Sequence, residues 1–207
     1  MPANANLDTR EALVRAAERL IAERGFGTVS VKDITREAGA RNPSAVHYHF
    51  GNVDGLVKEV FAQRFAAIEI SRMKRFDELF RGSPDASLYE LIHAALGPLF
   101  DTCLEKEGRL YVRFTVQFAS DPRFELEELV DRTTMESLQT MGAKLTQLLP
   151  HLPPAILLLR FRQGFHFSLI QAADYATCIE NGQAPSHERA LHEATLSLSG
   201  FFSAPAR

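Results

Sequence analysis

From Leu13 almost to the C-terminus, apolar side chains recur at about every third or fourth residue, and no stretch alternates apolar and polar long enough for a strand. That period commits the backbone to helices, so the sequence predicts an all-α fold. The chain has 207 residues, enough for one medium domain or two small ones with a sizeable core. No apolar run approaches the ~18–20 residues that span a bilayer, and the first residues lack the basic and apolar regions of a secretory signal. Cys103 and Cys178 are the only cysteines. Two thiols so far apart make no zinc cluster and fit a reducing compartment, so the expected location is cytoplasmic.

Turn and capping residues divide the pattern. A first helix is expected from Arg10, capped by Asp8 or Thr9, buried through Leu13, Ala16, Ala17, Leu20 and Ile21, and stopped by Gly25. Ser30 and Asp33 stand at capping-box spacing before a short helix, Val31 to Ala38, closed by Gly39. Asn42-Pro43-Ser44 opens another short helix to about Phe50, with Pro43 at a first helical position. Asn52 caps a long helix from Val53 to Arg81 whose inner face is Val57, Val60, Phe61, Phe65 and Ile68. Beyond the Gly82-Ser83-Pro84-Asp85 linker, helices are expected at 87–107 (interrupted at Pro98), 109–120 and 124–149. A break at 150–154 precedes a long apolar helix to Glu180, and a last helix starts at Ser186. The expected domains are a small module at 8–52 and a larger bundle at 83–207, sharing the helix 53–81.

Two short helices joined by a tight Gly-containing turn and braced by a longer one make a helix-turn-helix, whose second helix can enter a major groove. Here Ala45 and Val46 can face inward, while Arg41, Asn42, Ser44, His47, Tyr48 and His49 crowd the remaining surface with hydrogen-bonding groups. Arg can read guanine, Asn can read adenine, and hydroxyls and His can meet phosphate or base edges. Charge agrees weakly: residues 1–75 carry 12 Lys and Arg against 9 Asp and Glu, although the whole chain sums to −3. Shape and charge alone leave a plain solvated surface helix as an equal alternative.

Phe26-Gly27-Thr28-Val29-Ser30-Val31-Lys32-Asp33-Ile34, followed by Ala38-Gly39 and Val46-His47-Tyr48-His49-Phe50-Gly51, resembles the TetR (tetracycline repressor) family of transcriptional regulators. The likeness covers about residues 8–61; the rest matches only in helical layout. It implies a homodimer of about nine helices per chain that binds palindromic operator DNA and is released by an unknown small-molecule effector in the C-terminal domain, without cofactor or catalysis. On this chain Arg41 to His49 would read the operator, and Ser30 with neighbouring backbone N–H groups would hold a phosphate. Three departures accompany the match. The turn from Gly39 to Ser44 is one residue longer than the commonest form, His47 stands where Tyr is frequent, and Val53 replaces a Lys. A protein that keeps this fold for ligands or protein partners but has lost operator binding is the alternative, and the polar set at 41–49 speaks against it.

In the body, the helix from Ala155 is apolar on more than one face, and the last helix repeats the pattern. With the family resemblance, Phe161, Leu169, Ala173, Leu191, Leu198 and Phe202 are expected at an isologous four-helix dimer interface that holds two recognition helices about 34 Å apart. Tyr111, Phe114, Phe118, Phe165 and Phe167 offer aromatic walls for an effector pocket, with Arg113, Gln117 and His166 as polar anchors. Arg113 in such a pocket would favour an anionic ligand. Aromatic residues at helical spacing are more often simply core. The seven His residues make no metal set, and no phosphate loop, dinucleotide fingerprint or nucleophile elbow occurs.

Overall fold

The computed structural model describes residues 3–42, 44–124 and 136–206. Among these residues every regular element is helical: α1 (Ala3–Arg24), a single 3₁₀ turn (Phe26–Thr28), α2 (Val31–Glu37), α3 (Ala45–Phe50), α4 (Val53–Gly82), α5 (Leu88–Thr102), α6 (Lys106–Ser120), α7 (Glu136–Leu148), α8 (Pro154–Glu180) and α9 (His187–Ser203).

The helix starts follow their caps. Ser30 and Asp33 form a reciprocal capping box at α2, and Ser87 and Glu90 form another at α5. The Asn52 side chain accepts from the Gly55 N–H at 2.7 Å to start α4, and the Ser186 hydroxyl accepts from the Arg189 N–H to start α9. Such a cap stabilises its helix by about 1 kcal/mol. Behind α2, Gly39 adopts φ 65°, and the Ala40 and Gly39 N–H groups return to the Thr35 and Arg36 carbonyls. This paired closure needs a left-handed residue, hence glycine.

Three boundaries differ from expectation. Helix α1 starts at Ala3 rather than Arg10, because no Gly intervenes and extending an existing helix costs far less than nucleating one. The backbone runs helically through Pro98, which is buried with its neighbours on α5; the break falls instead at Cys103–Glu105. At the third helix, Ser44 is the N-cap and makes no side-chain cap; the Asn42 side-chain oxygen accepts from the Ser44 N–H at 2.9 Å in the turn before it, and regular helix begins only at Ala45. The placing of Pro43, and of 125–135 in the expected helix 124–149, lies outside the described residues.

The head core joins Leu13, Ala17, Leu20 and Ile21 of α1 to Ile34, Ala45 and Val46 of the short helices and to Leu56, Val57, Val60 and Phe61 of α4. Helix α1 also packs along α6, so the head is seated on the body through two helices, α4 and α6. Within the body, α4 packs on α5, α5 on α9, and α6 on α8.

Candidate nucleic-acid interface and internal cavity

Helix α3 is short, and its inner side is fixed by Ala45 and Val46, which are 6% and 2% exposed. Burying them turns the opposite face outward. Arg41, Asn42, Ser44, His47 and Tyr48 are all exposed there, Tyr48 to 73%, and His49 is half-buried. The Tyr48 and His49 rings meet edge to face at 4.9 Å, and Gly39, Ala40, Arg41, Asn42, Ala45, Tyr48 and His49 line an open surface cleft with Thr9. Of the predicted recognition residues, Arg41, Asn42, Tyr48 and His49 meet at this cleft, and Ser44 and His47 are exposed without lining it.

Ser30 is exposed beside it, but its hydroxyl is already engaged. It donates to the Asp33 carboxylate at 2.6 Å and accepts from the Asp33 N–H at 3.2 Å. Ser30's hydroxyl and backbone N–H hold the Asp33 carboxyl below its ordinary range, with Arg36 adding to the effect. A phosphate at the N-terminus of α2 therefore has to displace or share with a carboxylate already there.

The predicted effector residues separate into three places. Tyr111 and Phe165 line an internal cavity of about 50 Å³ bounded by α4, α5, α6, α7, α8 and α9. Phe114 and Phe118 are buried elsewhere, in an aromatic seam where Phe118 stacks between Phe61 and Phe124, and Phe26 from the head packs on Phe114 and Phe124. Arg113 does not reach the cavity, because it is half-exposed and paired with Glu180 of α8. Gln117, His166 and Phe167 face outward, Phe167 with its ring near Phe201.

The cavity wall also holds residues outside the predicted effector set. Phe61, Phe65, Ile68 and Arg72 come from α4, Thr115 from α6, Met141 from α7, and Gly164 and Ser168 from α8. Arg72 was readable as unusual: it continues the apolar stripe Phe61, Phe65, Ile68 and Phe76, where a charge is out of place. Gly164 leaves room, since a Cβ there would meet the Phe202 ring at 2.9 Å.

The predicted dimer residues also separate. Leu169, Leu191, Leu198 and Phe202 are 1–5% exposed in the single chain, consumed by the packing of α8 and α9 within their own body. Phe161 and Ala173 are half-buried. The outward apolar residues of these helices are Leu158, Leu159, Phe167 and Ile170 on α8 and Leu196 on α9, from 37% to 61% exposed.

Cys103 is fully buried, its thiol directed to the Ala172 and Leu99 carbonyls, while Cys178 is half-buried. Among the described residues no three His, Cys, Asp or Glu side chains converge as metal ligands, and no helix is long and apolar enough to cross a membrane.

Comparison with known proteins agrees with this architecture. Residues 13–60 match the profile of bacterial regulatory proteins of the tetR family, and residues 93–197 match the tetracyclin repressor-like C-terminal domain. No curated protein matches the chain. A TetR family transcription regulator from Marinobacter aquaeolei VT8 superposes with a TM-score of 0.65 at 16% identity, covering 96% of this chain and 97% of that one. A TetR family protein from Shewanella sp. PV-4 gives 0.66 at 16% identity, covering 92% and 95%. NalD of Pseudomonas aeruginosa, the secondary repressor of the MexAB-OprM multidrug efflux pump, gives 0.54 at 19% identity, covering 92% and 94%. These likenesses show the fold, and the two profiles together account for most of the sequence. The chain belongs to the TetR family of bacterial transcription regulators.

Proposed function

We propose that the protein is a homodimeric one-component repressor that reads operator DNA with Arg41, Asn42, Ser44, His47, Tyr48 and His49, assisted by Ser30, and is released by a small molecule held in the body. The observation that carries this reading is the division of α3: Ala45 and Val46 are spent on the head core, and His47 and Tyr48, with Arg41, Asn42 and Ser44 before them, are left exposed. A helix so divided, projecting from a Gly39 turn, suits a major groove. The unit 8–52 acts as the reader, 83–207 as the sensor and dimer body, and 53–81 joins them.

The outward stripe of Leu159, Phe167 and Ile170 on α8, with Leu196 on α9, is the face we assign to the partner protomer. Large apolar side chains left exposed in a row mark an interaction site. The cavity bounded by α4 to α9 is the place we assign to the effector. It touches the head indirectly: its wall residue Phe61 belongs to both the cavity and the aromatic seam. An effector that favours one packing of that seam shifts the spacing of the two α3 helices.

The test is fluorescence anisotropy with DNA flanking the protein's own gene, at several salt concentrations. Wild type should bind with a steep salt dependence. Arg41→Ala and Tyr48→Ala should each lose about tenfold or more, for a base or phosphate contact worth roughly 1–3 kcal/mol. Unchanged affinity in both variants would remove α3 as the reading helix. Absence of any specific DNA binding would favour a ligand-responsive protein that has left the operator.

A further inference from the structure

The chemistry of the cavity wall restricts what can occupy it. Most of its lining is apolar: Phe61, Phe65, Ile68, Leu96, Leu99, Met141, Phe161, Phe165 and others. Among the described residues three hydroxyls interrupt it, and each has already given its proton to a backbone carbonyl. Tyr111 donates to Phe61 at 3.4 Å, Thr115 to Val112 at 2.7 Å, and Ser168 to Phe165 at 2.7 Å. What these oxygens still offer is lone pairs, which accept.

The charged wall residue, Arg72, is not a free cation. Its Nε donates to the Ala95 carbonyl at 3.0 Å, and one terminal nitrogen is shared between the Glu69 carboxylate and the Ser137 hydroxyl. Ser137 in turn donates its hydroxyl to Glu69 at 2.7 Å and its backbone N–H to the other carboxylate oxygen at 3.3 Å. Glu69, Arg72 and Ser137 are all buried, so the charge is balanced inside the wall. A ligand carboxylate that drew Arg72 away would strand Glu69 without its counter-ion, and one that shared Arg72 with Glu69 would place two carboxylates around a single cation, leaving a net buried charge in apolar surroundings.

On the reading of this cavity as the effector site, we propose that the ligand is an uncharged, largely apolar molecule bearing a hydrogen-bond donor, of the phenol or alcohol class, whose hydroxyl is received by Tyr111, Thr115 or Ser168. Its way in passes Phe161. The open cavity, about 50 Å³, is smaller than the roughly 150 Å³ that holds a benzene ring, so a wall has to move. Phe161 is half-buried and lines both this cavity and an open groove of about 580 Å³ between α7 and α8. Turning its ring joins the two spaces. The groove's described lining, including Leu145, Leu149, Leu157 and Leu158, carries no charge, which suits the apolar part of such a molecule.

The experiment compares three probes with one skeleton on the full-length protein: 4-propylphenol, 4-propylbenzoate and propylbenzene. Binding is read by ligand-observed NMR and by the shift in melting temperature, without DNA. The phenol should bind about tenfold or more tightly than the benzoate, since an unmatched buried charge costs at least that much, and more tightly than propylbenzene. Ser168→Ala should shrink the phenol's advantage over propylbenzene, and Phe161→Ala should tighten both. Glu69→Gln should reverse the order and bring the benzoate to or above the phenol, because Arg72 is then uncompensated. A wild-type protein that prefers the benzoate, or one that binds none of the three even as Phe161→Ala, overturns the proposal.

Operator affinity is then measured separately with the bound probe. A benzoate that binds best and releases DNA refutes the ligand class and leaves the effector reading standing. A phenol that binds best without changing DNA affinity does the reverse.

Discussion

Phe118 of α6 stacks face to face on Phe61 of α4, with ring centroids 4.5 Å apart and planes 11° from parallel. Phe61 lines the cavity, and Phe118 continues to Phe124 at 4.8 Å, which meets Phe26 of the head at 5.6 Å. A contiguous row of rings thus runs from the cavity to the turn between α1 and α2. Phe118→Ala should destabilise the protein by about 3–5 kcal/mol, the usual loss for truncating a buried aromatic ring. Urea titration monitored by circular dichroism checks this. A loss below 1 kcal/mol would mean that the seam is not packed as described.

The Ser30–Asp33 box ties α2 to pH. The Asp33 carboxyl is held below its ordinary value of 3.8, first by the Ser30 hydroxyl and then by the Ser30 N–H and Arg36. A depressed carboxyl contributes stability above its ordinary pKa and loses it as pH falls through the lowered one. The first turn of α2 should therefore persist at pH 3.8 and loosen only below it. Ser30→Ala should move the titration of Asp33 upward. Carbon-detected NMR titration of the Asp33 carboxyl reads both; a midpoint at or above 3.8 in the wild type contradicts the capping geometry.

Exposed and buried apolar residues of the last two helices should respond differently to charge. Ile170, 48% exposed, should accept Glu without loss of helix content while the dimer dissociates. Leu198, 2% exposed, should not accept it: a charge buried there without a partner costs several kcal/mol and unfolds the body. Light scattering behind size exclusion, with far-UV circular dichroism, separates the two effects. A dimer that survives Ile170→Glu places the interface elsewhere.

The two thiols should differ in reactivity. Burial pushes the Cys103 thiol up to about 12, so almost no thiolate exists at neutral pH. Cys178 is half-buried. Ellman's reagent should label one thiol per native chain and the second only after denaturation. Rapid labelling of both in the native state would show that Cys103 is accessible.

The head was legible in the sequence because its signals are local. Ser30 reaches Asp33 across three positions, Gly39 answers to its own backbone angle, and Asn52 caps the turn beside it. The body was legible in outline only. Helical period says that Leu169, Leu198 and Phe202 are inward, but not whether inward means their own bundle or a partner. The same period groups Phe114, Phe118 and Tyr111 on one face of α6. Only tertiary packing sends the first two to the head and the third to the cavity. The Glu69–Arg72–Ser137 network closes between residues 68 positions apart, and nothing local announces such a meeting. Arg72 within an apolar stripe is the one trace it leaves.

The 30-residue helix α4, some 45 Å long, gives the head Leu56, Val57, Val60 and Phe61 and gives the cavity Phe61, Phe65, Ile68 and Arg72. Phe61 serves both. This constrains anyone grafting the reader of one regulator onto the sensor of another. A splice at Gly51–Asn52, where the chain turns, would strip the transplanted head of four core side chains. A splice in the linker at 83–85 would carry away one wall of the cavity. The serviceable junction lies inside the helix, between Phe61 and Phe65, where donor and recipient must keep the same helical phase.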